Sequence, residues 1–172
     1  MNLVRTVTIA TAVAACAACG STGGTSGPAA AGDTGDAVVR RVVDGDTLIA
    51  RIDGDDERVR MLGVDAPESV AENRPVECFG PQASARAKAL LPKGTRIVLA
   101  TDPSQGARDQ YDRLLAEVTR AGDPITVNEQ LIAEGYAEVF RGDGKGRLQP
   151  RLRAAERAAR DARLGLWSAC RR

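Results

Sequence analysis

The 172-residue chain contains no histidine. That absence excludes a Ser-His-Asp triad and a Cys-His pair. It also removes imidazole as a zinc ligand and as the usual general base near neutral pH. Acid–base chemistry must therefore fall to a carboxylate, lysine, tyrosine, cysteine or a water polarised by a metal. A charge of one dominant sign is also missing. The whole chain carries +1, and without Arg5 its basic and acidic residues are equal in number. Net charge alone then gives no strong pull toward a polyanion, though a local phosphate site remains open. Nor is there an apolar run long enough to span a bilayer.

The apolar run that does exist, residues 6–15, follows a single arginine and precedes small residues. Residues 1–19 read as a secretory signal peptide. Its end, Val13-Ala14-Ala15-Cys16, is similar to a bacterial lipobox and makes Cys16 the candidate for acylation. Cys19 is the alternative site, and cleavage without lipid is the third possibility. A redox reading of Cys16-Ala17-Ala18-Cys19 is discounted, because the motif lies inside the export signal. Residues 20–36 are rich in Gly, Ser, Thr and Ala and read as a flexible tether, about 17 residues spanning roughly 23 Å. Residues 37–172 are expected to form one domain. In an exported protein, its cysteine pair Cys78 and Cys170 is most simply a disulfide. It would close a loop of about 93 residues, a constraint of on the order of 4 kcal/mol.

Within the domain, β-branched runs at 38–43 and 47–52 flank Asp44-Gly45, a hairpin signal. A turn at 53–56 leads to a third strand over 58–64. Gly80-Pro81 opens a helix that runs to residue 91. Strands follow at 96–100 and 113–119, a short helix at 127–134 and an Ala/Arg-rich helix at 148–163. Five short strands with a helix after the third predict a partly open five-stranded barrel of the OB type with three helices, an α+β, mainly β fold.

Two acidic clusters sit on this frame. Val43-Asp44-Gly45-Asp46-Thr47 lies at the first turn, and Asp65-Ala66-Pro67-Glu68 lies where the third strand exits. Taken singly, each reads as turn chemistry. Asp46 fits that reading poorly, since it begins a strand, where aspartate is disfavoured. Together, Asp46 and Asp65 could share a hard cation, calcium or magnesium, with water completing the shell. Arg60 and Arg113 could reach the same place and grip a phosphate bidentately.

These residues resemble the staphylococcal nuclease (thermonuclease) family. The likeness is carried by Val43-Asp44-Gly45-Asp46-Thr47, residues 59–68, Glu77-Cys78-Phe79-Gly80-Pro81-Gln82-Ala83-Ser84, residues 109–116, and Leu164-Gly165-Leu166-Trp167-Ser168, in that order. It implies an OB-fold barrel and calcium-dependent endonuclease hydrolysis of DNA and RNA, with single strands the expected form and the protein a monomer. Asp46 and Asp65 would ligate Ca2+, with the backbone carbonyl of Ala66. Asp44 would act one layer further out, through water. Glu68 would be the general base, and Arg60 and Arg113 would clamp the scissile phosphate.

Three positions depart from the family pattern. Gln110 replaces a basic residue, Asp112 a glycine, and Arg141 the first of two tyrosines. Base stacking is left to Tyr111. The competing expectations are a non-catalytic OB-type surface lipoprotein that binds oligonucleotide or protein, and a structural lipoprotein stiffened by calcium. Each expects an exported chain that touches a membrane only through its N-terminal lipid.

Overall fold

The computed structural model describes residues 33–69, 75–142 and 146–171. The expected signal peptide, both acylation candidates (Cys16 and Cys19) and residues 20–32 of the tether lie outside the described residues. The chain runs β1 (Asp33–Asp44), β2 (Thr47–Ile52), β3 (Asp55–Met61), β4 (Val64–Asp65), α1 (Gly80–Leu90), β5 (Arg96–Ala100), β6 (Leu114–Arg120), α2 (Val127–Ala133), β7 (Glu138–Val139), α3 (Gln149–Asp161) and α4 (Leu166–Ala169).

Five of the strands close into a barrel in the order β1-β2-β3-β6-β5. The β1–β2–β3 meander is antiparallel, and β5 pairs antiparallel with both β1 and β6. The seam between β3 and β6 is parallel, from Val59 opposite Leu114 to Met61 opposite Ala116. Parallel neighbours need a long crossover, and α1 and β5 supply it. The barrel core is aliphatic. Leu48, Met61, Ile97, Leu99, Leu131, Ile132, Leu152 and Leu166 are all nearly or fully buried.

The expected elements appear with shifted ends. β1 begins at Asp33, inside the stretch read as tether, because Asp33 and Asp36 pair with Ala100 and Val98 of β5. The third strand does not run through to residue 64. It stops at Met61, and Gly63 turns the chain with φ +71°. A side chain at Gly63 would also strike Leu152 of α3. Val64 and Asp65 then form a separate ladder with Val139 and Glu138. This break directs Asp65 into a cleft beside the barrel.

The helices are seated by identifiable contacts. Thr126 caps α2, its side chain accepting from the Glu129 N–H at 3.0 Å. Along α3, Gln149, Leu152, Glu156 and Ala159 are buried on one face, the spacing of an amphipathic helix. Leu166 of α4 is fully buried, and Arg160 stacks on Trp167 with 4.1 Å to the ring centre. The sulfurs of Cys78 and Cys170 lie 2.08 Å apart, with their Cα atoms separated by 5.9 Å.

Candidate active site

The β1–β2 turn brings the first acidic cluster onto the exit of β4. Gly45 makes this approach possible. A Cβ there would collide with the Ala66 methyl and crowd Ala83 of α1. Its φ is not positive, so crowding and not turn geometry demands glycine. Asp44 Oδ1 accepts from the Gly45 N–H at 2.8 Å and from the Ser69 hydroxyl. Asp46 is almost buried, with 8% of its surface exposed. Its Oδ1 accepts from the Thr47 hydroxyl at 2.9 Å, and its Oδ2 accepts from the Ala66 N–H at 3.1 Å. Asp46 therefore ties the start of β2 to the second acidic cluster.

Arg60 lies between the two aspartates. It sits on β3, opposite Thr47 of β2 and Leu115 of β6, and its side chain is mostly buried. Its Nη1 forms an ion pair with Asp46 Oδ2, and its Nη2 lies 3.6 Å from Asp65 Oδ1. The Nη1 contact is an ion pair without hydrogen-bond alignment, so a buried donor keeps its capacity. Burial pushes the Asp65 carboxyl above its usual range. Arg60 opposes that shift, while Asp46, Glu138 and Glu77 add to it.

Glu68 is held by its backbone. Its N–H donates to Glu77 Oε2 at 3.0 Å, and its carbonyl accepts from the Glu77 N–H at 2.9 Å. Gly80, the first residue of α1, rests against the Glu68 carbonyl so closely that no Cβ would fit. On the opposite wall, Asp109 organises Arg113. It accepts from the Arg113 N–H at 3.0 Å, from Arg113 Nε at 2.7 Å and from the Tyr111 N–H at 2.9 Å. Burial pushes the Asp109 carboxyl up, but the hydrogen bonds from Arg113 and Tyr111 hold it below its usual range. The Arg113 guanidinium lies 5.4 Å from the centre of the Tyr111 ring, which is 67% exposed.

One cleft of about 750 Å³ gathers these groups. Asp44, Asp46, Arg60, Asp65, Ala66, Glu68, Tyr111 and Arg113 all line it, and Cys78 and Cys170 stand at its wall. Arg58, Glu77, Glu138 and Arg171 line it too, and sequence reasoning missed them in this role. Glu138 reaches the cleft only through its pairing with Asp65, a register that no local motif announces. Glu77 was within the family-like stretch, beside Cys78. Arg141 lines a different groove, with Phe140 and α3.

The cleft fits a hard cation in chemistry and in charge. Its candidate donors are oxygens, and Asp65 sits near the carboxylates of Asp46, Glu138 and Glu77, with Arg60 opposing them. Among the described residues no three acidic or thiol side chains converge into a ready cage. Asp46, Asp65 and the Ala66 carbonyl would therefore leave much of the shell to water, as calcium and magnesium sites often do.

Comparison with known proteins identifies a family for the chain. The family model described as staphylococcal nuclease homologue matches residues 58–169. The chain is 38% identical over 130 residues to the thermonuclease of Staphylococcus intermedius, covering 76% of this chain and 74% of that one. It is 35% identical over 130 residues to the thermonuclease of Staphylococcus hyicus, with the same coverage. Endonuclease YncB of Bacillus subtilis (strain 168) is 36% identical over 129 residues, covering 74% of this chain and 59% of that protein. On its closed five-stranded barrel, its cleft and these matches, the chain belongs to the staphylococcal nuclease family.

Proposed function

We propose that this nuclease is a calcium-dependent endonuclease that hydrolyses the phosphodiester bonds of DNA and RNA outside the cytoplasm. The observation that carries the reading is the meeting of Asp46, Asp65, Glu68, Arg60 and Arg113 in one cleft. Bound by Asp46, Asp65 and the Ala66 carbonyl, calcium would supply positive charge to the phosphoryl oxygens and make water a better nucleophile.

The protein's own groups do the rest. Arg60 and Arg113 donate to the non-bridging phosphate oxygens, where negative charge grows as the water adds. Asp109 fixes the Arg113 fork in advance, so little order is lost when phosphate arrives. The Glu68 carboxylate takes the proton of the attacking water, with its backbone held by Glu77 and Gly80. Asp44, braced by Ser69, orients water beside the cation. Tyr111 offers its exposed ring to a base of a single strand.

Export rests on residues 1–19, with Cys16, or Cys19, as the acylated anchor, and an oxidising compartment suits a Cys78–Cys170 bond. The deciding assay incubates purified protein with denatured DNA in calcium, magnesium or chelator. Cleavage is expected with calcium and none with chelator. Wild type as inert as Glu68→Gln, at alkaline pH with ample calcium, would remove the reading. Labelled palmitate incorporated by wild type but not by Cys16→Ser would place the anchor.

A further inference from the structure

A second hollow lies between β7 and α3, outside the cleft. It measures about 320 Å³ and is lined by Val139, Phe140, Arg141, Arg153, Glu156 and Arg157. Its charge is strongly unbalanced. Arg141, Arg153 and Arg157 are exposed, and none forms an ion pair among the described residues. On the same helix, α3, Arg151 does hold a carboxylate, that of Glu129. Glu156 is the groove's one carboxylate, set against three guanidiniums. It is buried and turned to the Val139 N–H, which it accepts at 3.0 Å.

The wall between the three cations is aromatic. Phe140 is 47% exposed, an uneconomical place for one of only two phenylalanines. Gly142 lies so close to its ring that a Cβ would collide with it, so one side of the ring is supported. Arg153 and Arg157 are four residues apart on α3, which places them as neighbours on one helix face. Guanidinium groups with an accessible ring are the elements that hold a single nucleic-acid strand, phosphates on the cations and a base on the ring. The position suits the same ligand. Glu138 lines the cleft and the next residue, Val139, lines the groove, so the two hollows flank one two-residue strand.

We propose that this groove is a second subsite for a single-stranded polynucleotide, holding the part of the strand that extends beyond the cleaved phosphodiester. The identity of the ligand rests on the nuclease reading. The groove would offset the neutral net charge of the chain by gathering three exposed guanidiniums beside the strand that carries Glu138. It also gives Arg141 a use in place of the tyrosine of the family pattern.

The test compares wild type with Arg153→Gln/Arg157→Gln and with Phe140→Ser, all changed at exposed positions. Fluorescence anisotropy in chelator measures binding of a labelled dinucleotide and a labelled octanucleotide, and cleavage of both is measured separately with calcium. Wild type should bind the octanucleotide more tightly than the dinucleotide by about tenfold or more, and the double variant should lose most of that gain. Two lost phosphate contacts should flatten the log–log salt dependence by about 1.4. Phe140→Ser should weaken octanucleotide binding about fivefold or more, and no variant should alter dinucleotide cleavage.

A double variant with unchanged octanucleotide affinity and salt slope overturns the proposal. The same variants are also mixed with phosphatidylglycerol vesicles. Loss of vesicle binding with octanucleotide binding intact makes the groove a membrane contact and likewise overturns it. Groove-dependent binding without any cleavage would leave the subsite standing and remove the nuclease reading. Cleavage with groove-independent binding would do the reverse.

Discussion

Glu68 and Glu77 are bonded to each other twice, each N–H donating to the other residue's oxygen, at 3.0 and 2.9 Å. One of these bonds uses the Glu77 side chain, so a change there acts on the proposed base without touching it. Glu77→Ala should lower kcat about five- to tenfold, the value of one lost hydrogen bond of about 1 kcal/mol. KM should hold, and Glu77→Gln, which keeps an accepting oxygen, should restore most of the rate. Steady-state kinetics on one oligonucleotide separate these outcomes. A Glu77→Gln variant as slow as Glu77→Ala would mean that charge, not position, is what Glu77 supplies.

Cys78 adjoins Glu77, and its partner Cys170 ends the short helix α4. The pair therefore fastens the chain's far end to the loop that holds Glu68. Cys78→Ser/Cys170→Ser should lose about 2–4 kcal/mol in urea unfolding. Wild type treated with reductant should match it. Activity should fall before the fold melts, because the nearest consequence of release is a looser Glu77.

Arg113 and Asp109 make a prediction about kcat and affinity. Arg113→Ala should cost about 10²–10³ in kcat, as for other donors aimed at developing charge. Arg113→Lys should recover little, since an ammonium cannot reproduce the fork. Asp109→Ala should reduce the rate less than Arg113→Ala, because the guanidinium remains but is no longer aimed. Equal losses in the two variants would mean that Asp109 does more than hold Arg113.

The pH dependence of stability follows from Glu134. Arg86 donates to it through Nε and Nη2 at 2.6 and 2.7 Å, joining α1 to the end of α2. These bonds hold the Glu134 carboxyl below its usual 4.5 despite partial burial. A carboxyl with a depressed folded pKa contributes fully above its unfolded pKa and loses that contribution as pH falls through the folded value. Asp102 and Asp109 are also held low, each by hydrogen bonds that overcome burial. As Glu134, Asp102 and Asp109 protonate, the urea midpoint should fall below roughly pH 4. Glu134→Gln should cost about 1 kcal/mol at neutral pH and shrink the acid loss.

The legible part of this protein was the part written in short contiguous motifs. Asp44, Asp46, Asp65, Glu68, Arg60 and Arg113 could be gathered from sequence because turns and strand ends carry them and their chemistry is complementary. The rest depended on register and close approach. Gly45 reads as a turn glycine, yet contact with Ala66 and Ala83 is what requires it. Residues 33–36 read as tether, yet β5 recruits them into β1. Gly63 sat inside a plausible strand, and only Leu152, far along the chain, explains the break there. Glu156 lies on the buried face of α3 and serves a backbone N–H of β7, a partner no local pattern announces. Such long-range contacts leave no local period or motif.

The parallel seam between β3 and β6 has a consequence for when the enzyme becomes dangerous to its maker. Asp46 and Arg60 lie on one side of the seam, and Arg113 immediately precedes β6 on the other. A chain emerging from the ribosome has the first three strands long before the sixth. Until β6 arrives, the sheet β5-β1-β2-β3 is open at β3 and at β5, and the proposed phosphate clamp has only one arm. Closing the ring and completing the clamp are the same event. With Arg60 and Arg113 as the proposed clamp, the chain would acquire its chemistry only with its final topology.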